Sequence, residues 1–222
     1  MLLQNRRRRD QRRRDQVGDK HQAIIDAAIA VIARQGYHGA QISRIAEAAG
    51  VAGGTVYLYF RNKQDLLVSV FRERMGSQTR DFIRQLEEIG TPPGKLRRLV
   101  QEHFRVLAGD PAFAVVTQIE LRQSDPEIRR GLSEVMKAYF KVIEGVIDEG
   151  QRRGMFRAEL DPRLIRNLIF GTVDQTVTAW VLSGAKYDLV GLADPICDLI
   201  MGGIEARPEP TGQGRERDAK NF

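Results

Sequence analysis

The 222-residue sequence predicts an all-α protein of about nine helices, with a small N-terminal helix-turn-helix domain and a larger C-terminal helical domain. Three observations carry this. Apolar residues recur at three- and four-residue spacings, and the sustained alternation that marks half-buried strands is missing. Four of the eight prolines follow aspartate, at Asp110-Pro111, Asp125-Pro126, Asp161-Pro162 and Asp194-Pro195. Aspartate caps a helix start and proline suits the first helical position, where no amide donor is needed, so each pair marks a helix start. Gly50 divides two short helical stretches and suits the left-handed turn between them.

The elements follow in order. Helix one spans about Lys20–Gln35. Ile24, Ala27, Ala28, Val31 and Ile32 form its core face, and Gly36 ends it. Helix two, Ile42–Ala49, places Ile42, Ile45, Ala46 and Ala49 on one face. Helix three runs from about Gly53 to Phe60. Asn62 caps helix four, with Asp65 three residues on as an Asn-x-x-Asp form of the capping box. Helix four, about Lys63–Ile89, is apolar at both ends and polar from Arg72 to Asp81, which reads as an exposed connector. Helices five and six span about Lys95–Ala108 and Pro111–Gln123. Helix seven, about Pro126–Arg153, has two apolar stripes and is buried on more than one side. Helix eight, about Pro162–Ser183, is the most apolar, and helix nine spans about Pro195–Ala206. The expected organisation is a disordered basic arm (1–18), a helix-turn-helix DNA-binding domain (19–66), a ligand-binding and dimerisation domain (67–206) and a disordered tail (207–222).

Charge is placed unevenly. The net charge is +6, but residues 1–20 hold eight basic and three acidic side chains, leaving only +1 for the remainder. The basicity therefore belongs to the arm, where arginines suit phosphates or a minor groove, or form a nonspecific tail. One cysteine, Cys197, excludes an intrachain disulfide and fits a reducing cytoplasm. No apolar run reaches membrane-spanning length, and no secretory leader is expected.

Residues 42–63 carry the firmest chemistry. On helix three and its flanks, Gly53, Gly54, Thr55, Tyr57, Tyr59 and Lys63 are expected to face DNA. Hydroxyls bond phosphate oxygens, a threonine methyl suits thymine, lysine pairs with phosphate, and glycines let amides approach closely. Ser43 and Arg44 on helix two are placed to reach the backbone. Val56 and Phe60 are expected in the core.

The run IAEAAGVAGGTVYLYFRNKQDLL closely resembles the DNA-binding domain of TetR-family transcriptional repressors. The pattern is an alanine-rich helix, Gly-Val, Gly-Thr, Tyr-x-Tyr-Phe, then lysine followed by leucine. The resemblance implies a homodimer whose two heads read half-sites of a palindromic operator. One departure is Ala52, where the family has a capping serine. Losing a cap costs about 1 kcal/mol, so the start of the reading helix is expected to be loosely held.

The body offers no catalytic constellation. His21, His38 and His103 are scattered without metal spacing, Cys197 lies on an apolar helix face, and there is no phosphate-binding glycine loop. The chain is therefore not expected to be an enzyme, and no cofactor or metal is expected. Leu168, Val177, Val181, Ile196, Leu199, Ile200 and Ile204 are the expected dimer interface, with the monomer core as the competing role.

The segments VLAGDPAFAVVTQIELRQSDPEIR (106–129) and IFGTVDQTVTAWVLSGAKYDLV (169–190) resemble the TetR-type regulators of fatty acid degradation. That resemblance implies release from DNA by a long-chain acyl-CoA effector. Phe104, Leu107, Phe113, Val116, Ile119, Tyr139, Phe140, Phe170, Val173 and Trp180 suit an apolar tunnel. Arg98, Arg105 and Arg122 are the candidates for the coenzyme A phosphates, and Asp174 for the pocket or the dimer seam, because a carboxylate in so apolar a helix must be paired, solvated or neutral. Each buried methylene contributes about 0.8 kcal/mol, so two carbons change affinity about tenfold. A different hydrophobic effector, or an architectural DNA-binding protein without any ligand, are the alternatives; an acyl-CoA enzyme is disfavoured by the missing base and nucleophile.

Overall fold

The computed structural model describes the backbone of residues 2–206 except 121, 123 and 124, and side chains from residue 18 onward with the same exceptions. Its helices are α1 (Leu2–Gly39), α2 (Ile42–Ala48), α3 (Gly53–Tyr59), α4 (Lys63–Glu87), α5 (Pro92–Gly109), α6 (Pro111–Glu120), α7 (Pro126–Arg152), α8 (Pro162–Leu182) and α9 (Ala193–Ile204), with a 3-10 turn at Val190–Leu192. Among the described residues the only β pairing is an isolated bridge between Phe156 and Glu205.

The caps explain most boundaries. Asn62 accepts from the Asp65 amide at 2.7 Å, and the Asp65 carboxylate takes the Arg61 amide at 3.0 Å, so the box closes one residue earlier than expected. Thr91 caps α5 through the Gly94 amide. Asp110 takes the Phe113 amide, Asp125 those of Glu127 and Ile128, and Asp161 that of Arg163. Asp194 is the exception. The 3-10 turn starts α9 at Ala193, and Asp194 instead accepts from Arg97 and Gln101 of α5.

The backbone of the expected basic arm, from Leu2, runs within α1; the side chains of residues 1–17 lie outside those described, as does the tail from 207. Within α1 the helical dihedrals break at Gly36, which adopts φ 68°, ψ 162°. Gly50 takes φ 66° in the turn between α2 and α3. Both lie in the left-handed region where glycine costs least.

α1, α2, α3 and the start of α4 enclose the head core of Ile24, Ile25, Ala28, Ile45, Val56 and Leu66, among others. α4 then continues into the body against α7. The two helices meet closely at Gly131, where a Cβ would stand 2.7 Å from a Val68 methyl.

Candidate functional site

The head presents α3 outward. Tyr57 is 58% exposed and Leu58 83% exposed, with Gly53 and Gly54 bare at the helix start and Thr55 half-buried. No side chain caps α3 at Ala52. Ser43 and Arg44 are exposed on α2, Arg44 paired with Glu47 at 3.0 Å. Two expected contacts are turned inward. Lys63 Nζ donates to the His38 carbonyl at 3.2 Å and lies 4.6 Å from the Tyr37 ring centre, and burial lowers its pKa. It closes the head onto the end of α1 instead of reaching for phosphate. Tyr59 is half-buried with its ring 5.8 Å from that of His21. Leu58, missed from the sequence because an apolar residue reads as core, is the most exposed large side chain of the reading helix.

The body holds a cavity of about 30 Å³ lined by Met75 and Gln78 of α4, His103 and Leu107 of α5, Phe113, Thr117 and Gln118 of α6, Met136 of α7, and Phe170 and Asp174 of α8. The middle of α4 is thus cavity wall, which corrects its reading as an exposed connector. Within this stretch Arg72, Ser77 and Arg80 stay exposed, while Arg74 pairs with Asp110, the cap of α6, and stacks on the Phe113 ring. Of the three states open to Asp174 the structure shows the paired one, with Arg122 at 2.6 Å. The Gln118 amide lies 2.7 Å from Thr178 Oγ1.

Of the expected tunnel residues, Leu107, Phe113 and Phe170 line the cavity, and Asp174 lines it with them. Tyr139 stands behind it, its hydroxyl 3.0 Å from His103 Nδ1. Phe140 packs edge-to-face on Phe170 with ring centres 5.0 Å apart. Phe104, Val116, Val173 and Trp180 are buried core outside the lining, and the Trp180 indole donates to the Tyr187 carbonyl. Ile119 is 53% exposed and does not join Thr117 and Gln118 in the cavity lining. His103, Gln78, Gln118, Thr117, Met75 and Met136 were missed; a single histidine or glutamine among apolar residues carries no spacing signal.

A surface groove of about 370 Å³ between α4 and α5 shares Gln78 with the cavity and contains Arg84 and Arg105. Arg105 and Arg98 both pair with Glu102, whose carboxylate is 6% exposed as a residue. Among the described residues, no group of three or more His, Cys, Asp or Glu side chains is placed to hold a metal, and no helix is long and apolar enough to cross a membrane.

The expected dimer residues divide. Val177, Ile196, Ile200 and Ile204 are buried within the protomer, Val181 is half-buried, and only Leu168 and Leu199 are exposed. Leu164 and Leu182 join them on the outside. α8 is apolar almost all round, so its sequence does not reveal which stripe faces its own core.

Head and body meet at the end of α6. Glu120, 4% exposed, accepts from the Tyr37 amide at 2.7 Å, one residue past the Gly36 break. Its charge also acts on Lys63. Gln64 at the start of α4 donates to Asp125, the cap of α7, at 2.9 Å.

Residues 24–70 match the tetR family of bacterial regulatory proteins, and residues 71–203 the C-terminal region of YsiA-like proteins. A fatty acid metabolism regulator protein of Bacillus subtilis (strain 168) is 47% identical over 185 residues, covering 83% of this chain and 95% of its own. The crystal structure of the transcriptional regulator FadR from Bacillus subtilis in complex with stearoyl-CoA aligns with a TM-score of 0.80 at 47% identity, over 82% of this chain and 98% of that one. The fatty acid degradation regulator FadR from Bacillus halodurans aligns with a TM-score of 0.80 at 49% identity, again over 82% and 98%. With both halves matched in sequence and the whole architecture matched in space, the chain belongs to the tetR family of bacterial regulatory proteins.

Proposed function

We propose that the protein is a dimeric transcriptional repressor of fatty acid degradation genes in the cytoplasm, released from a palindromic operator by a long-chain acyl-CoA. The observation that carries this reading is the course of α4. One unbroken helix starts beside the reading head at Asn62 and supplies Met75 and Gln78 to the cavity wall. The relative solved with stearoyl-CoA supplies the ligand class.

At about 30 Å³ the cavity has room for about two waters, far below the roughly 300–1,000 Å³ of a ligand site. An acyl chain therefore has to spread the walls, and α4 is one of them. Ligand and DNA then favour different body shapes, which is the condition for release. α6 transmits the same displacement, since Thr117 and Gln118 line the cavity within a turn of Glu120, which holds the head at Tyr37.

The DNA contacts proposed are Ser43, Arg44, Gly53, Gly54, Thr55 and Tyr57, joined by Leu58 against thymine methyls. Leu164, Leu168, Leu182 and Leu199 form the two-fold face, and Arg84 and Arg105 flank the groove for the coenzyme A phosphates. The reading heads of the DNA-bound dimer stand about 34–36 Å apart, one helical turn.

Fluorescence anisotropy on upstream operator DNA, with and without stearoyl-CoA, tests the reading. The expected result is at least about tenfold weaker DNA binding with the thioester, a coupling of the ordinary allosteric size. Unchanged DNA affinity at saturating stearoyl-CoA would falsify it.

A further inference from the structure

Among the described residues, one buried side-chain polar atom of the cavity lining has no partner. His103 Nε2 is buried and makes no hydrogen bond, although the ring's other nitrogen is held by Tyr139 Oη at 3.0 Å. That contact selects the tautomer. If Nδ1 carried the proton, both the Tyr139 hydroxyl hydrogen and the Nε2 lone pair would be left without partners. With the hydroxyl donating to a bare Nδ1, only one group remains unmatched, the Nε2–H donor. Burial keeps the ring neutral, pushing its pKa down to about 4. The cavity therefore offers a neutral donor among methionine and phenylalanine side chains.

A buried donor without an acceptor is costly, and a ligand that supplies one gains the difference. The charges on the walls narrow the choice of acceptor. Among the described lining residues none is cationic, and Asp174 is the one carboxylate, already paired with Arg122. An ionised fatty carboxylate here would lie near Asp174 and have to compete with it for Arg122. A neutral carbonyl oxygen meets no such penalty. Gln78 lines both the cavity and the arginine-bearing groove, so a thioester entering from the groove brings its carbonyl into the cavity that His103 shares with Phe113, Phe170 and Met136.

The geometry points to His103 as the specificity-determining donor, its Nε2–H taking the carbonyl oxygen of an acyl thioester, held in that tautomer by Tyr139, while the cation-free wall turns away the free fatty acid. This rests on the acyl-CoA reading and assigns the atom that tells the thioester from its hydrolysis product.

Calorimetric titration of the full-length protein with stearoyl-CoA, with the S-octadecyl thioether of coenzyme A, which lacks the carbonyl, and with stearate provides the test. The wild type is expected to bind the thioester about tenfold more tightly than the thioether, the effect of one neutral hydrogen bond, and stearate far more weakly than either. In His103→Phe the thioester-to-thioether ratio falls to about one while thioether affinity holds, a pattern that general loss of packing does not give. His103→Gln, which keeps an N–H, recovers part of the ratio, and Tyr139→Phe, which frees the tautomer, lowers it. A wild-type ratio of one, tight stearate binding, or an undiminished ratio in His103→Gln and Tyr139→Phe overturns the inference. Equal binding of both coenzyme A compounds overturns it while the acyl-CoA reading stands; binding of neither overturns both.

Discussion

Between residues 18 and 66 the buried side chains are apolar, with Tyr37 the only one bearing a polar atom, whereas the remainder of the described chain buries Ser69, Thr79, Glu102, Thr117, Gln118 and Glu120. The core of the head is filled almost entirely by apolar side chains. The body keeps polar atoms inside, most of them on the helices around the cavity or at the seam with the head. An apolar core has one good packing and resists deformation. A core with polar groups around a small cavity has partners to exchange when a ligand enters. The core of the head is thus the less deformable of the two, and the core of the body the one with polar partners to exchange.

Ile45→Ala attacks the rigid side and is expected to have the largest effect. Ile45 is fully buried, and its truncation should cost roughly 2–5 kcal/mol in urea unfolding, with added stearoyl-CoA recovering no head contact. A cost below about 1 kcal/mol would mean that the head repacks as readily as the body.

Acid separates the two regions next. His103 has a folded pKa pushed below its unfolded value of about 6.5, to about 4. The unfolded chain therefore binds more protons between these values, so stability falls as pH drops from about 6.5 toward 4. Over that window the loss amounts to about 3 kcal/mol. Urea unfolding as a function of pH should give His103→Phe a shallower acid slope than the wild type. Equal slopes would place the acid sensitivity elsewhere.

Glu120→Ala probes the seam. It leaves the buried Tyr37 amide without its acceptor, a cost of roughly 1–3 kcal/mol. The ratio of operator affinities without and with stearoyl-CoA is expected to shrink more than stearoyl-CoA affinity itself, as anisotropy and calorimetry on the same variant would report. A preserved ratio would confine transmission to α4. Ala52→Ser is the mildest change. A side-chain cap that α3 lacks should add about 1 kcal/mol and slow amide exchange at residues 54–57. Strong protection of those amides in the wild type without DNA would show that the missing cap leaves no looseness to remove.

The same contrast explains what was legible in the sequence. Helix starts were readable wherever an Asp-Pro pair kept its local bonds, and Asp194 was missed because Arg97, almost a hundred residues away, takes its carboxylate. The head core followed from periodicity because every inward residue there is apolar. The middle of α4 defeats the same reasoning, since polar residues lining a cavity look like solvent-facing ones. Lys63 looked like a phosphate binder until the fold set it against Tyr37. His103 had no neighbour in sequence to mark it, and its meaning depends on Tyr139 one helix away. Ile119 was placed in the tunnel by its type, while the phase of a ten-residue helix set it outside.

The break at Gly36 also bears on how such proteins exchange parts. The first amide past the break is satisfied by a carboxylate from α6, 83 residues further along the chain. A head cut out at residue 66, or grafted onto another regulator's body, would leave that terminus without its partner. Transplanting this head with its binding preference intact therefore calls for an acidic residue at the position of Glu120 in the recipient, so the portable unit is discontinuous and larger than the helix-turn-helix itself.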